Sequence, residues 1–328
     1  EMMSEMLGEL NASHTGARYY GSVASLPTAY LGLFYDESYE GDGLKVKEVV
    51  NNGPCSVKNT DIKPGSIIQK IDGIDITAGM DYFPLLEGKI GKPIRLSVGK
   101  AKGGKTFDVV VKGISRGTLI DLLYKRWVER NRKLVDSLSN GRLAYVHVRA
   151  MNSKSFRDVY SELLSERNRN REAVIVDERH NGGGWLHDDL CTLLNGKEYQ
   201  HFVPQGKYMG RDPFNKWTKP SCVLICEDDY SNGHGFPMVY KTLGIGKLIG
   251  TPVAGTMTAV WWEKMIDQSM VYGIPQVGCR TLDGIYGENT QLNPDIVVYN
   301  TPEDYITGND RQLKKAVEEM LKEADKNK

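Results

Sequence analysis

The pattern of apolar and polar positions changes once along the chain. Between residues 29 and 113, short stretches such as 44–50 alternate apolar and polar positions, which is typical of half-buried strands. From residue 114 on, stretches with apolar residues at near-helical spacing, such as 119–138, are followed by short continuous apolar stretches, such as 173–177. This second pattern predicts an α/β domain built on a largely parallel sheet with helices on its faces.

We therefore predict three parts: an N-terminal helical segment at 1–28, a β-rich module at 29–113 and an α/β domain at 114–328. The length of 328 residues agrees with about two domains plus a short extra segment. The N-terminal segment has an apolar helical face that it cannot bury alone, so we expect it to dock on a later part of the chain. That face consists of Met2, Met3, Met6, Leu7 and Leu10.

Composition excludes several classes of function. The chain has 42 basic and 42 acidic residues, so no strong field favours nucleic acid or an anionic membrane. No apolar stretch approaches the roughly 18–20 residues that cross a bilayer. The five scattered cysteines predict no disulfide framework, and Cys222 and Cys226 flank an apolar strand as expected of small core residues. We expect neither a metal nor a cofactor, because no His or Cys cluster has zinc-ligand spacing.

Three consecutive glycines follow the apolar strand predicted at 173–177. The backbone N–H groups of Gly182, Gly183 and Gly184 lack side-chain cover and can cradle a phosphate or a tetrahedral oxyanion. Their spacing is neither that of a P-loop nor that of a dinucleotide fingerprint. A tight strand-to-helix turn would also account for them.

A serine, Ser231, stands between a predicted strand and a predicted helix, where the partial positive charge of the helix start favours an oxyanion. It could act as a nucleophile or only as a helix N-cap. A nucleophile needs a base, and the candidates are His234 on the same turn and His14 in a polar cluster. His234 could equally be a helix-surface residue and His14 a loop residue. Glu288 could orient the base or be a solvated carboxylate.

Five segments, in order, resemble the tricorn-type serine proteases, relatives of the carboxy-terminal processing proteases. These segments are residues 9–14, 127–148, 177–184, 229–232 and 287–295, and the resemblance covers essentially the whole chain. It implies a serine peptidase that hydrolyses peptides through an acyl-enzyme. The implied fold joins a PDZ-like domain to a ClpP/crotonase-like α/β catalytic domain.

The resemblance also implies roles for single residues. Ser231 would attack the scissile carbonyl, and His14 would take its proton and later protonate the leaving amine. Ser13 and Glu288 would orient and polarise the imidazole of His14. The rate of such an enzyme should rise through roughly pH 6–7, because His14 must be neutral to act as a base.

The same resemblance assigns the oxyanion hole to the N–H groups of Gly183 and Asn232, with Gly182 or Gly184 as alternatives to Gly183. Processing proteases of the serine–lysine type carry a lysine about 25 residues after the serine. This chain has Thr256 there, so a histidine base is favoured.

Residues 29–113 resemble the family's PDZ module, in which Leu31, Gly32, Leu33 and Phe34 match the loop that binds a peptide carboxylate. The module could instead be only a scaffold. Full-length members of the family carry β-propeller domains ahead of this region, and we expect those domains to be missing from this chain. The resemblance further implies a homo-oligomer. Reduced cysteines favour the cytoplasm, unless a removed signal peptide directed the protein to the periplasm or outside the cell.

Two other functions remain open at the level of sequence. One is a catalytically inactive, PDZ-type peptide-binding protein on a protease fold, with His180 and Trp185 obstructing the glycine loop. The other is a different hydrolase, such as an esterase, with the same reacting residues. Residues 185–215 should line the pocket for the substrate side chain, where the acidic candidates are Asp188, Asp189 and Asp212.

Overall fold

The computed structural model describes residues 2–21, 26–57, 60–100, 106–266 and 268–326. They divide into two compact units. The larger unit comprises the described residues up to Gly21 together with those from Arg130 on, and the smaller unit comprises those between. The division into 1–28, 29–113 and 114–328 stays a prediction.

The first two elements are the helix α1 (Met2–Gly8) and the strand β1 (Gly16–Tyr19), which belong to the larger unit. The strands that follow are β2 (Leu33–Tyr35), β3 (Leu44–Val49), β4 (Ser66–Ile71), β5 (Ile74–Asp75), β6 (Pro93–Lys100) and β7 (Phe107–Lys112). They form one antiparallel sheet in the order β2-β3-β4-β6-β7, with β5 paired to β4. Alternate residues point into one core, which includes Ile68, Ile94, Leu96 and Val98.

The rest of the chain alternates helices and strands. The helices are α2 (Arg116–Leu138), α3 (Ser153–Leu163), α4 (Glu166–Arg169), α5 (His187–Leu194), α6 (Asn232–Thr242), α7 (Pro302–Thr307) and α8 (Arg311–Lys326). The strands are β8 (Leu143–His147), β9 (Ala173–Asp177), β10 (Gln200–Phe202), β11 (Gly210–Asp212), β12 (Ser221–Ile225), β13 (Lys247–Gly250), β14 (Thr258–Lys264), β15 (Met270–Gly278) and β16 (Ile296–Val297).

The larger unit is built on a parallel sheet of five strands in the order β16-β13-β12-β9-β8. Every residue of β9 and β12 is buried, which explains their continuous apolar sequences. Helices α3, α5 and α6 pack with alternate residues of these strands in one core, and α8 lies against β8, β9, β12 and β13. The predicted parallel sheet with covering helices is therefore present.

A second sheet joins the start of the chain to its last third. Strand β1 pairs with β15, which pairs with β14, both antiparallel. Because β1 begins two residues after His14, this pairing fixes the N-terminal segment beside residues that lie far away in sequence. Helix α1 buries only Leu7, while Met2, Met6 and Leu10 are more than half exposed. The expected docking of the apolar face of α1 thus holds for Leu7 alone.

The segment 194–220 contains the antiparallel pair β10 and β11. Cys222 and Cys226 are buried, as expected of core residues, and the five cysteines are free. No helix among the described residues is long and apolar enough to cross a membrane.

Candidate active site

Ser231 lies in a strained turn between the end of β12 and the start of α6. Its backbone angles are φ 57° and ψ −119°, which a non-glycine residue rarely adopts. Its N–H donates to Thr256 Oγ1 over 2.9 Å, and its carbonyl accepts from the N–H groups of His234 and Gly235. Ser231 occupies the N-cap position of α6, but its hydroxyl makes no capping hydrogen bond. The turn therefore presents the hydroxyl without using it to cap the helix.

Ser13, His14 and Glu288 form a chain of hydrogen bonds although Ser13 and Glu288 are 275 positions apart. Ser13 donates its hydroxyl proton to Glu288 Oε2 over 2.8 Å and its N–H to Glu288 Oε1 over 2.5 Å. The imidazole Nδ1 of His14 lies 2.9 Å from Ser13 Oγ. Because the Ser13 proton is given to Glu288, the Nδ1–H of His14 is the donor in this contact, which leaves Nε2 as the basic nitrogen.

Two residues that sequence reasoning missed complete this group. Thr258 Oγ1 lies 2.8 Å from Ser13 Oγ and 3.1 Å from His14 Nδ1. Tyr230, next to Ser231, accepts the His14 N–H on its hydroxyl over 2.8 Å, and the two rings lie 4.8 Å apart. Tyr230 thus connects His14 to the Ser231 turn. Within the described residues, no hydrogen bond joins the Ser231 hydroxyl to His14 directly, and such bonds often tighten only when substrate binds.

Thr256 has a structural function that the family resemblance did not assign. It stands where serine–lysine enzymes would have their lysine, and it is buried. Its hydroxyl accepts the Ser231 N–H, and its own N–H donates to His234 Nδ1 over 3.3 Å. Thr256 therefore stabilises the strained turn through its hydrogen bonds to Ser231 and His234, and it does not supply a base.

His234 is not a surface residue, because only 1% of it is exposed. Burial lowers its pKa to about 4, an effect that Glu288 partly opposes. Its Nδ1 accepts the Thr256 N–H, so this nitrogen carries no proton. The interpretation of His234 as a helix-surface histidine is wrong. His234 stabilises the Ser231 turn, because its N–H donates to the Ser231 carbonyl and its Nδ1 accepts from Thr256.

Of the three glycines, Gly183 lies against Ser231. A Cβ atom on Gly183 would be 2.6 Å from Ser231 Cβ and 3.0 Å from the backbone nitrogen of Asn232. A Cβ atom on Gly184 would instead meet Met151 O at 2.1 Å, and one on Gly182 would meet nothing within 4 Å. The N–H groups of Gly183 and Asn232 consequently flank the turn. The Gly183 N–H donates to Asn181 Oδ1 over 2.9 Å in this state.

Asn232 is also held by its side chain. Its Oδ1 accepts from the N–H groups of Leu186 and His187, and its Nδ2 donates to His187 Nδ1 over 2.8 Å. Asn232 is therefore fixed at the helix start by the segment that follows the glycines. Asp188 and Asp189 lie exposed in the first turn of α5, and Asp212 ends β11, where it accepts from Gln200.

The electrostatic setting of His14 suits a base. His14 is partly buried, and this burial lowers its pKa below 6.5, while the carboxylate of Glu288 acts in the opposite direction. A pKa below 6.5 means that the imidazole is mostly neutral at pH 7. Its Nε2 can then accept a proton without prior deprotonation.

A buried ion network lies at the carboxyl end of β9. Arg179 donates two hydrogen bonds to Asp177 over 2.9 and 2.7 Å and reaches Asp310 over 2.9 and 3.0 Å. It also donates to Gln312 Oε1, and Tyr145 donates to Asp177 Oδ2 over 2.8 Å. Because Arg179 starts the loop that leads to the glycines, this network ties the loop to α8.

Glu178 lies between Asp177 and Arg179 in the sequence and is fully buried. Neither of its carboxyl oxygens has a hydrogen-bond partner among the described residues. Burial, with Asp229 and Asp177 nearby, raises its pKa well above 4.5. The folded protein therefore keeps a proton that the unfolded chain releases, and the free energy of unfolding falls as pH rises above 4.5.

We expect Glu178→Gln to remove this dependence. Above about pH 5.5, the slope of the unfolding free energy against pH should become more positive by up to about 1.4 kcal/mol per pH unit. Urea unfolding at pH 5.5, 6.5 and 7.5 measures the slope. The exposed Glu263→Gln should leave it unchanged, and equal slopes in Glu178→Gln and the parent would refute a neutral Glu178.

Comparison with known proteins agrees with this geometry. Residues 142–298 match the model of peptidase family S41. The chain is 28% identical to the tricorn protease of Thermoplasma acidophilum over 79% of this chain and 24% of that protein. It is 28% identical to the tricorn protease homolog of Saccharolobus solfataricus over 98% of this chain and 30% of that protein. A crystal structure of the tricorn protease superposes with a TM-score of 0.83 at 25% identity, covering 98% of this chain and 32% of the other.

The fold and the matched segment indicate a class: residues 142–298, somewhat less than half of the chain, are similar to peptidase family S41. Within that class, the chain is similar to the tricorn proteases. The expected resemblance is confirmed, as is a mixed α/β fold similar to that of tricorn protease. The chain spans about a quarter to a third of the length of these relatives, at 24% and 30%.

Proposed function

We propose that this chain carries the catalytic part of a serine peptidase that hydrolyses peptides through an acyl-enzyme on Ser231. The observation that carries the proposal is the hydrogen-bonded series Glu288, Ser13 and His14, which ends next to the strained turn of Ser231. A carboxylate that polarises an imidazole beside a serine hydroxyl is the arrangement that acyl transfer requires. The names of the relatives, which are proteases, agree with this function.

In the proposed mechanism, Ser231 Oγ attacks the scissile carbonyl carbon while His14 Nε2 takes the hydroxyl proton. The imidazolium is stabilised through Ser13 by the negative charge of Glu288. When the tetrahedral intermediate collapses, the C–N bond breaks and His14 gives the proton to the leaving amine. Water then attacks the acyl-enzyme while His14 takes a proton from the water molecule. His14 passes this proton to Ser231 Oγ, which releases the carboxylic acid and restores Ser231.

The negative charge on the carbonyl oxygen is assigned to the N–H groups of Gly183 and Asn232. Both lie beside Ser231, and the Asn232 N–H is at the start of α6, where the helix dipole adds positive potential. The Gly183 N–H donates to Asn181 Oδ1. It must therefore reorient towards the substrate oxygen or form a bifurcated hydrogen bond to both oxygens. Asn181 is therefore the residue that competes with substrate for this donor.

The ClpP/crotonase-like nature of the α/β unit and the PDZ-like nature of the smaller unit belong to the proposal. In the smaller unit, Leu31 is buried, Gly32 has φ 68°, and Leu33 and Phe34 lie in β2. β2 is the last strand of its sheet, so its outer edge is one to which an extended peptide could add. A role as scaffold alone remains the alternative for this unit.

The inactive alternative gains no support from the residues that suggested it. Trp185 packs edge-on against His187, and His180 contacts Asp228, so both side chains are engaged with residues other than Ser231. Ester hydrolysis by the same residues stays possible in chemical terms, because acyl transfer does not distinguish esters from amides. A homo-oligomer, a cytoplasmic location and additional propeller domains in the whole protein remain proposals.

A fluorophosphonate probe tests the proposed function. We expect stoichiometric labelling that peptide mapping assigns to Ser231, with a rate that rises with pH along a limb below pH 6.5, since burial lowers the pKa of His14. Ser231→Ala should abolish labelling and leave the circular dichroism spectrum unchanged. Ser221→Ala, which changes a buried serine of β12, is the matched control and should still label. Labelling of Ser231→Ala at the parent rate would overturn the assignment.

A further inference from the structure

Three potential metal ligands converge beside the Ser231 turn, in a group with no part in the proposed peptidase mechanism. His180 Nδ1 lies 3.0 Å from Asp228 Oδ2 and 3.8 Å from Cys226 Sγ. The three ligand atoms all lie within 4.8 Å of one another. Cys226 is buried at the end of β12, whereas His180 and Asp228 are exposed, so the group has a buried sulfur and an open, solvent-facing side.

These separations suit a tetrahedral zinc ion. Zinc bonds of about 2.3 Å to sulfur and 2.0–2.2 Å to nitrogen and oxygen place neighbouring ligand atoms about 3.3–3.6 Å apart. The two separations from His180 Nδ1, 3.0 and 3.8 Å, lie within a few tenths of an ångström of this range, and the third pair, Cys226 Sγ and Asp228, lies within 4.8 Å. A thiolate and an imidazole exclude the hard cations Mg²⁺ and Ca²⁺, which prefer oxygen ligands alone.

The surroundings of Cys226 act on a metal thiolate in opposite directions. The His180 N–H donates to Cys226 Sγ over 3.2 Å, a bond that would stabilise negative charge on the sulfur. The thiol contacts Asp229 Oδ1 at 3.6 Å, and burial together with this carboxyl group keeps it protonated in the absence of a cation. A cation must therefore displace the proton, as zinc does at other cysteine ligands.

We propose that Cys226, His180 and Asp228 form a binding site for Zn²⁺ or a similar thiophilic divalent cation, with water as the fourth ligand. On binding, the Cys226 S–H bond breaks and its proton passes to solvent as the metal–sulfur bond forms. His180 binds through Nδ1, so the proton that Nδ1 donates to Asp228 passes to solvent while Nε2 takes up a proton from solvent. The hydrogen bond between Nδ1 and Asp228 is replaced by two bonds to the metal.

The position of the site gives it a consequence for the neighbouring loops. His180 begins the segment that leads to the glycines, and Asp228 stands three residues before Ser231. The two loops are already joined by hydrogen bonds, from the Asn181 N–H to Asp229 and from the Tyr230 N–H to the Asn181 carbonyl. A bound cation adds a cross-link between them and stabilises the folded state over the unfolded one.

The test uses Co²⁺ as a spectroscopic probe and Zn²⁺ as a competitor, on the full chain kept under reducing conditions. We expect one Co²⁺ per chain, with a thiolate-to-cobalt charge-transfer absorption that Zn²⁺ abolishes. Cys226→Ser should eliminate the absorption, and Asp228→Asn should weaken affinity at least about tenfold. Asp228 is exposed, so its variant reports on binding even if Cys226→Ser folds poorly.

Cys279→Ser is the matched control, because Cys279 is a partly exposed free cysteine outside the group. It should bind Co²⁺ as the parent does. Zn²⁺ should also raise the melting temperature of the parent and of Cys279→Ser, but not that of Cys226→Ser. An absorption that survives in Cys226→Ser or disappears in Cys279→Ser would overturn the proposal. So would the absence of thiolate–cobalt absorption at a saturating excess of Co²⁺. None of these three outcomes depends on peptidase activity.

Discussion

His14→Asn is expected to lower kcat for a fluorogenic peptide amide by about 10⁴- to 10⁶-fold, because the variant has no base to take the Ser231 proton. Asparagine is preferred to alanine, since His14 has φ 63° and asparagine tolerates this conformation. The Asn side chain cannot accept and return a proton at neutral pH. KM should change little, because His14 acts on the reaction and not on peptide binding.

The matched control for that measurement is His201→Asn, which changes an exposed histidine on β10. It should retain the parent kcat. Thermal unfolding and circular dichroism establish that both variants are folded. A folded His14→Asn with more than about a tenth of the parent kcat would show that another group is the base.

Arg179→Met is expected to destabilise the larger unit by about 3–5 kcal/mol, because it leaves buried carboxylates without their cation. Arg179 is 3% exposed and is shared by Asp177 and Asp310. Without it, Asp177, which is fully buried, must either stay charged in the core or take up a proton. For a unit of this size, the melting temperature should fall by about 6–20 °C.

A double variant separates loss of packing from the cost of an unpaired charge. Arg179→Met combined with Asp177→Asn should be more stable than Arg179→Met alone, since the asparagine is neutral. Arg142→Met, at a more exposed ion pair with Glu172, should lower the melting temperature much less. Equal losses in Arg142→Met and Arg179→Met would contradict the view that burial decides the effect.

The parts of the fold that follow from local pattern were predictable. Strand β9 was predicted at 173–177, as observed, and the helix predicted over 119–138 is α2, which begins at Arg116. The helix expected after Ser231 is α6, which begins at Asn232. Its first turn contains Gly233 and Gly235, residues that disfavour helices. Burial of these residues and of Phe236 overrides that preference.

The residues of the candidate site, too, were predictable only in part. Ser13, His14, Ser231 and Glu288 were predicted as site residues because their segments resemble those of a known family. Thr258 and Tyr230 were not, since a single hydroxyl group carries no local signal of its partner. Their partners are 245 and 216 positions away, so only the pairing of β1 with β15 and the path of the Ser231 turn bring them together.

The distance along the chain between Ser13 and Glu288, 275 positions, determines when the site can exist during synthesis. Both residues must have left the ribosome, and β1 must have found β15, before His14 is oriented. Contacts of such high sequence separation form late in folding, because a long loop must close first. A nascent chain that already exposes Ser231 therefore still lacks an oriented His14, and the proposed peptidase activity can begin only once the larger unit is nearly complete.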